Sequence, residues 1–417
     1  MHIVMVECNP NGIAGIANAL AAGHEATLIT ADPDFYLAAS PIAPQVYAHP
    51  RCQVIRSPES FSIEVLEGLV RQVHAARPVH GITTYSEYHT VHAATVAASL
   101  GLPGMSVTGA LNARHKHRTR LALAGVEGVR QPRFAHVPDP AGVAAAVREV
   151  GFPCVVKPSD GTASLHVLQL NDERDLAGYL AELAAVRDYG RGVVRIPDIL
   201  VEEFVTGELV SVESFVRGEE VVNLGVTDRT LSGFPYFVEM GATYFRGHPL
   251  EAELFEMTGR VLRALGIDSG FIHTEFILGA DGPVLCEVNG RLIGGVVPAL
   301  MKISSGIDPY LEVIRHALGE EPELPFPGAV TASGRWFGSP VSGVLRGVDF
   351  AEVREMDGFV EATSYKEPGT PVVRLSKSNF DWLGHVIFTG DGRDQAAKRC
   401  EAALDAIGLA LAVEVAR

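Results

Sequence analysis

Two glutamates in the segment GFIHTEFILGADGPVLCEVNGRLIGG, residues 270–295, are spaced to face each other across a β-hairpin. Two alternating apolar runs flank a turn at residues 280–282, and a three-residue loop that ends on glycine pairs residue 279 with residue 283. This register places Glu275 opposite Glu287. Directly opposed carboxylates destabilise a strand pair, whereas a hard cation such as Mg²⁺ binds carboxylate oxygens together with substrate phosphates. The hairpin therefore predicts a magnesium site, and two unrelated, solvated glutamates are the alternative.

Further polar residues follow on the same hairpin. The register places His273 opposite Asn289, and Arg291 continues the Glu287 face. Asn289 adds an amide oxygen to the predicted metal site. His273 either contacts the metal ligands and phosphates or is a hydrogen-bonded structural histidine, and both interpretations stay open. Arg291 is planar and permanently charged, so it fits a phosphate or an oxyanion. The backbone amides of the loop 292–295, which includes Gly294 and Gly295, are candidate contacts of the same oxyanion.

Lys157 ends an apolar strand and is followed by a turn of small residues, PSDGTAS. Short side chains in such a turn let backbone N–H groups approach phosphate oxygens, while the lysine supplies a positive charge. Ser159, Gly161 and Ser164 are therefore candidate phosphate contacts. A surface lysine beside an ordinary hairpin is the competing interpretation.

The segment ILVEEFVTGELVSVESFV, residues 199–216, combines a strand end, adjacent carboxylates and a glycine turn. Adenine needs an acceptor for its exocyclic amine and a backbone donor for its ring nitrogen, and the end of this strand offers both. The candidate contacts are Glu202, Glu203 and the main chain at Phe204 and Val205. Glu208, next to Gly207, could accept a ribose hydroxyl. Taken singly, these glutamates are better explained as solvated turn residues.

Composition excludes several classes of protein. The chain has 417 residues and a net charge of −16, which argues against nucleic acid as a partner because phosphate backbones need a basic surface. The five cysteines stand singly, without a CxxC or Cys/His cluster, so neither a zinc site nor a disulfide framework is expected. We find no secretory signal and no apolar run long enough to span a bilayer, and we expect no membrane partner and a cytoplasmic location.

The pattern of elements changes along the chain. Strands alternate with helices in the first hundred residues, which predicts a parallel sheet covered on both faces. Glu87 follows the strand predicted at 80–84, where open α/β sheets bind ligands. A basic helix predicted over 112–124 contains Arg114 and Lys116. The aromatic segment 225–247 is interpreted as a loop that lines a substrate pocket, or as a packed core under a long loop.

Taken in order, the basic helix, the strand that ends in KP, the EEF turn, HTEF and EVNGR resemble the ATP-grasp superfamily of carboxylate–amine ligases. The segment from about residue 326 is similar to the extra C-terminal region of the L-amino-acid ligases that make dipeptides, the bacilysin-synthase group. The resemblance implies an α/β and α+β fold of ATP-grasp architecture. We predict an N-terminal parallel α/β domain at 1–108, a two-part ATP-clamping domain at 109–325 with its small lid half inside 115–205, and a small mixed C-terminal domain at 326–417.

The resemblance also implies ligands and residue roles. ATP and Mg²⁺ would be the cofactors, with two metal ions, and Mn²⁺ is an ion that the same ligands accept. Lys157 would bind the α- and β-phosphates, with Arg114 or Lys116 as the second cation. Glu202 and the backbone after it would bind adenine, Glu208 the ribose, and Arg291 the transferred phosphate and acyl group. The implied metal ligands are Glu275, Glu287 and Asn289.

The expected activity is ATP-dependent formation of an amide bond between an amino acid carboxylate and an amine, which we expect to be a second amino acid, through an acyl phosphate. The alternatives are a ligase of natural-product biosynthesis with another carboxylate or amine, a nucleotide-binding protein without turnover, and phosphoryl transfer to a small molecule. In each case the partners are small molecules. The oligomeric state stays open, with a homodimer through the N-terminal domain as one arrangement.

Overall fold

Parallel strands at the start of the chain pair in the order β3-β2-β1-β4. The computed structural model describes residues 1–233, 235–375 and 378–413. Helices cover both faces of this sheet, and every residue of β1 is therefore buried. The predicted alternation of strand and helix is confirmed. The elements are β1 (His2–Val6), α1 (Ile13–Ala21), β2 (Glu25–Thr30), α2 (Pro33–Ala39), α3 (Ala43–Tyr47), β3 (Cys52–Arg56), α4 (Ile63–Ala76), β4 (Gly81–Thr83) and α5 (Thr90–Ser99).

The prediction of a single basic helix over 112–124 is wrong, because the chain forms two helices there. They are α6 (Val107–Arg114) and α7 (Lys116–Ala122). His115 between them is extended, with φ −104° and ψ 109°. The break lets the backbone N–H of Lys116 donate to Ser159 O at 2.9 Å instead of to a helical carbonyl. We call α7 the hinge helix, since it connects the regions on either side.

A small antiparallel sheet with two helices on one face follows, and we call this unit the lid. Its strands pair in the order β5-β8-β6-β7. Its elements are β5 (Phe134–Val137), α8 (Val143–Val150), β6 (Cys154–Pro158), β7 (Leu168–Leu170), α9 (Glu173–Ala184) and β8 (Ile199–Glu203). Val147, Val156 and Val201 belong to the buried cluster between this sheet and its helices. Lys157 and Glu202 alternate with Val156 and Val201, so they lie on the opposite, uncovered face.

The rest of the chain is organised by one large antiparallel sheet. Its elements are β9 (Glu208–Arg217), β10 (Glu220–Leu231), β11 (Glu239–Phe245), α10 (Glu251–Ala264), β12 (Ser269–Gly279), β13 (Gly282–Asn289), α11 (Val297–Ser305), α12 (Pro309–Ala317), β14 (Thr331–Gly338), β15 (Gly343–Asp349), α13 (Ala351–Arg354), β16 (Phe359–Ser364), β17 (Pro371–Val372), β18 (Trp382–Gly390), α14 (Arg393–Asp405) and β19 (Gly408–Val413). In the described part of the chain, the sheet order is β13-β12-β9-β10-β11-β14-β18-β16.

This sheet crosses the boundary predicted between residues 325 and 326, because β11 pairs with β14. The C-terminal segment therefore extends the central sheet, and it adds a second sheet in the order β17-β15-β19. Four residues of the predicted C-terminal domain, 414–417, lie outside the described residues, as do 376 and 377. The prediction of a loop over 225–247 is wrong, because most of β10 and all of β11 fall within this segment.

Among the described residues, no helix combines the length and the apolar character that crossing a membrane requires.

Candidate functional site

The predicted pairing of Glu275 with Glu287 is confirmed, although the predicted turn is not. Gly279 pairs with Gly282 across a two-residue turn, one residue earlier than expected. A bulge then shifts the register between Phe276 and Glu275, and beyond it Glu275 pairs with Glu287 and His273 with Asn289. The bulge also exchanges residues between faces: Leu285, rather than Cys286, is fully buried against the apolar core of the hairpin.

Glu275 is an ionised carboxylate held by a buried histidine. His273 Nε2 donates to Glu275 Oε1 at 2.8 Å, and its Nδ1 lies 3.0 Å from Glu213 Oε2. Burial opposes ionisation of Glu275, but the hydrogen bond and charge of His273 outweigh it and bring the pKa of Glu275 to about 2. Burial likewise opposes the charge on His273, and Glu213 and Glu275 outweigh it, so that its pKa rises to about 9. Both ring nitrogens are engaged, so His273 orients Glu275.

Glu287 faces the hinge helix and the N-terminal domain. Lys116 Nζ lies 3.1 Å from Glu287 Oε1 and donates to Gly161 O in the small-residue turn at 2.8 Å. The Asn289 amide lies 3.1 Å from both Glu287 Oε1 and Glu87 Oε2, with its nitrogen as the donor. Arg291 Nε donates to Glu87 Oε2. Residues predicted separately for metal, phosphate and substrate binding are thus brought into one cluster.

The two candidates for the second phosphate-binding cation point in different directions. Lys116 reaches Glu287, whereas the Arg114 guanidinium donates to Asp160 O at 2.6 Å. The Arg114 guanidinium carbon lies 5.0 Å from the ring centre of Tyr88. Of the two side chains, Lys116 is the one placed next to the predicted metal ligands.

Lys157 is held by a buried ion-pair network that sequence reasoning missed. Its Nζ lies 2.6 Å from Glu202 Oε2, while Arg120 Nε donates to Glu202 Oε1 at 2.5 Å. A terminal nitrogen of Arg120 also donates to Cys286 O at 2.7 Å. Burial opposes ionisation of Glu202, but the charges of Arg120 and Lys157 outweigh it and bring its pKa to about 2. Arg120 follows Lys116 by four residues on α7, so helical spacing was an available signal for it.

This network adds a role to the Glu202 side chain. Both of its carboxylate oxygens accept from buried cations, and the side chain is only 5% exposed. The carboxylate therefore positions Lys157, and its contact with adenine stays a prediction. The main chain at Phe204 and Val205 stays the predicted adenine contact.

Two other predicted nucleotide contacts are placed away from the carboxylate cluster. Glu203 accepts from Arg133 at the surface, at 2.7 Å from its Nε. Glu208 pairs with Leu278, so strand alternation places it on the opposite sheet face from Glu275, which pairs with Ser211. The predicted ribose contact through the Glu208 side chain is inconsistent with this register, because Leu209 takes the face that Glu275 shares.

The small-residue turn is fixed by its own side chains. Ser159 Oγ accepts from the backbone N–H of His117 at 3.1 Å, so this hydroxyl faces the hinge helix. Ser164 Oγ donates to Phe237 O at 2.9 Å. Ala163 and Ser164 have φ of 54° and 57°, a left-handed conformation that tightens the turn. The backbone of Gly161 faces Lys116, as described above.

The glycine loop after Arg291 packs between two regions. Gly295 has φ of 63°, and a Cβ there would lie 2.8 Å from Trp336 Cζ2. Its carbonyl accepts from Asn11 Nδ2 at 3.0 Å. A Cβ on Gly294 would lie 3.9 Å from a terminal nitrogen of Arg291. The loop therefore carries Arg291 against both the N-terminal domain and the C-terminal segment.

The donor set fits magnesium. Glu275, Glu287 and Asn289 supply oxygen ligands beside Lys116, as a cation bridged to a polyphosphate requires. The Cys286 thiol is nearby, but burial raises its pKa to about 12 and keeps it neutral. For a cation to bind Asn289, its amide oxygen would have to turn toward Glu287, where its nitrogen now donates.

Sequence models of three families match successive parts of the chain. They describe an ATP-grasp N-terminal domain at residues 16–104, an ATP-grasp domain at 150–299 and an L-amino acid ligase C-terminal domain 2 at 335–412. Together with the fold, these matches show an ATP-grasp architecture and a similarity to the ATP-grasp carboxylate–amine ligase family. Enzymes of this family generally use ATP and Mg²⁺.

The chain is also similar to individual proteins. An uncharacterized protein of Sinorhizobium fredii is 29% identical over 376 residues, which are 89% of this chain and 76% of the relative. The alanine–anticapsin ligase of Bacillus subtilis is 26% identical over 289 residues, 63% of this chain and 59% of that protein. The crystal structure of an L-amino acid ligase from Bacillus licheniformis superposes with a TM-score of 0.81 at 21% identity, covering 99% of this chain and 98% of that one.

Proposed function

We propose that this protein joins the carboxylate of an amino acid to an amine, in the simplest case a second amino acid, with conversion of ATP to ADP and phosphate. The observation that carries the proposal is the convergence of Glu275, Glu287 and Asn289 with Lys116 and with the Arg291–Glu87 pair. This cluster draws on the central sheet, the hinge helix and the N-terminal domain. The proposed site for a metal–nucleotide complex would thus lie beside a cation that suits a carboxylate substrate.

Cationic and anionic side chains would bind different parts of the metal–nucleotide complex. Lys157 and Lys116 lie on the lid and the hinge helix, where they would neutralise phosphate oxygens of ATP. Mg²⁺ would be held by Glu275, Glu287 and Asn289, and the family resemblance implies two ions. The metal would neutralise the phosphates so that an anionic carboxylate can approach them. His273 keeps Glu275 ionised and oriented toward that site. No base is assigned for the incoming amine, which is selected in its uncharged form.

The reaction proceeds in two steps. A carboxylate oxygen of the first substrate attacks the γ-phosphorus, the bond to the bridging oxygen breaks, and ADP leaves. The amine nitrogen then attacks the acyl carbon, phosphate leaves with the former carboxylate oxygen, and the nitrogen loses a proton. Arg291 is placed to bind the acyl phosphate and the oxyanion that forms in the second step. Its present partner Glu87 would then be released or would contact the substrate amine.

Phosphate release from ATP tests the proposal. The purified chain is incubated with ATP, Mg²⁺ and each amino acid alone, and then with amino acids in pairs. The masses of the products are measured by mass spectrometry. We expect phosphate above background together with a product whose mass equals the two substrates less one water. A phosphorylated product would support phosphoryl transfer, and no turnover with any pair would support a binding protein.

A matched pair of variants links turnover to the hairpin. Glu287→Gln removes one carboxylate charge from the predicted metal site, and Asp281→Asn removes one from the exposed turn of the same hairpin. We expect turnover to collapse in the first variant and to stay near the wild-type rate in the second. Equal turnover in the two variants would contradict the proposed metal site.

A further inference from the structure

A second cluster of metal-ligating side chains lies about the hinge helix, apart from the predicted magnesium ligands. It consists of His117 on α7, His136 on β5 and Asp198, the residue before β8. One ligand atom from each of the three lies within 4.8 Å of the others. The sequence separations follow no metal-binding motif, which is why sequence analysis expected no zinc site. Folding of the lid against the hinge helix brings these residues together.

The three side chains are arranged about Asp198. Its Oδ1 lies 2.5 Å from His136 Nε2 and 4.0 Å from His117 Nδ1. The two imidazole rings are parallel, with their centres 4.2 Å apart and an angle of 6° between their planes. Ligand atoms of a tetrahedral zinc site are separated by about 3.3 Å, since Zn–N and Zn–O bonds are about 2.0–2.1 Å long. The two distances to Asp198 bracket this value. A shared ion also requires one of the two stacked rings to rotate, because an imidazole binds a metal in the plane of its own ring.

Exposure agrees with a metal site. The side chains are 16%, 24% and 21% exposed for His117, His136 and Asp198, so an ion could enter but would be largely enclosed. Ser159 Oγ lies 2.7 Å from His117 Nδ1 and would keep its bond from the His117 backbone N–H if that ring nitrogen bound an ion.

We propose that His117, His136 and Asp198 form a site for a transition-metal ion of the zinc type, distinct from the magnesium site. Two imidazole nitrogens and one carboxylate suit Zn²⁺, Co²⁺ or Ni²⁺, whereas Mg²⁺ prefers oxygen ligands throughout. The bound ion would tie the hinge helix to β5 and to the segment just before β8, and thereby restrain the lid. This inference does not depend on the ligase reaction.

Cobalt provides the probe, because tetrahedral Co²⁺ absorbs visible light far more strongly than octahedral Co²⁺. The full chain, free of any polyhistidine tag and stripped with chelator, is titrated with Co²⁺ in excess Mg²⁺, by absorbance and by calorimetry. We expect one equivalent of tetrahedral Co²⁺ that Zn²⁺ displaces. His117→Ala and His136→Ala should each lose the tetrahedral absorbance, and Asp198→Asn should weaken binding while its amide preserves the contact with His136.

Two controls identify the site. His49→Ala changes a histidine of the N-terminal domain whose Nδ1 accepts from Arg51 N, and it should bind Co²⁺ as the wild type does. Glu287→Gln should also retain the tetrahedral absorbance, because the magnesium ligands lie elsewhere. Circular dichroism establishes that the variants are folded. The inference is overturned if no stoichiometric tetrahedral ion binds, if binding survives in a folded His136→Ala or Asp198→Asn variant at wild-type affinity, or if Glu287→Gln abolishes it.

Discussion

Glu202→Gln is the substitution that the structure predicts most sharply. It replaces an anion between two buried cations with a neutral amide of the same size, and it leaves Arg120 and Lys157 without their counter-charge. Because Arg120 also donates to Cys286 O, the change affects the lid, the hinge helix and the hairpin together. We expect the lid strands to be destabilised and ATP to bind more weakly.

The pKa of Glu202 sets the magnitude. It falls from 4.5 to about 2 on folding, and at about 1.4 kcal/mol per pKa unit this corresponds to roughly 3 kcal/mol of stability at neutral pH. Loss of one partner from a buried ion pair typically costs about 3–5 kcal/mol, in agreement. A group whose pKa is lowered on folding stabilises fully above its unfolded pKa, so the effect is complete above pH 4.5 and is lost as the pH falls through about 2.

Hydrogen exchange of the β6 and β8 amides measures this effect locally, with Glu203→Gln as the control. Glu203 is the neighbouring residue, but it pairs with Arg133 at the surface, where such pairs contribute about 0–1 kcal/mol. We expect the opening free energy of these strands to fall by about 3 kcal/mol in Glu202→Gln and by less than about 1 kcal/mol in the control. The difference from wild type should shrink as the pH falls from 4.5 toward about 2, because Glu202 is protonated in the unfolded chain before it is protonated in the folded one. Equal effects of the two substitutions would refute the buried network as the source of lid stability.

Three further substitutions test other parts of the site. Lys116→Met removes the cation beside Glu287 and should weaken ATP binding about tenfold, or ~1.4 kcal/mol, in an equilibrium titration, whereas Arg118→Met on the exposed side of the same helix should not. Arg291→Lys loses the planar fork and should lower kcat about 100-fold or more in a phosphate-release assay, and an unchanged kcat would exclude Arg291 from the reaction. Gly295→Ala forces a side chain into left-handed backbone against Trp336 and should lower the free energy of unfolding by about 1–3 kcal/mol, whereas Gly294→Ala, whose Cβ has room, should cost less.

The hairpin could be predicted because its pattern is local. Alternating apolar residues define two faces, and the pairing of Glu275 with Glu287 follows for either loop length once the bulge at Cys286 compensates for the shorter turn. The predicted register was thus right beyond the bulge and wrong before it. Strand alternation also indicates the orientation of Glu208. This residue lies two positions before the buried Val210, so its side chain is on the same sheet face as Val210 and faces away from Glu275.

The features that sequence reasoning missed all depend on contacts between distant segments. The helix break at His115 exists because Lys116 N donates to Ser159 O, a contact that propensity within the basic segment does not encode. The role of Glu202 could not be read from its neighbours, since its partner Arg120 lies 82 residues earlier in the chain. The central sheet continues into the C-terminal segment because β11 pairs with β14, and no local sequence pattern predicts this pairing.

The hinge helix joins the two halves of the site through two residues on one face. Lys116 contacts Gly161 in the lid and Glu287 in the hairpin, and Arg120, one turn later, contacts Glu202 in the lid and Cys286 in the hairpin. Any ligand that takes over Glu287 must compete with Lys116, whereas the contacts of Arg120 with Glu202 and Cys286 involve none of the three predicted metal ligands. Ligand binding should therefore loosen the connection at Lys116 and preserve the one at Arg120.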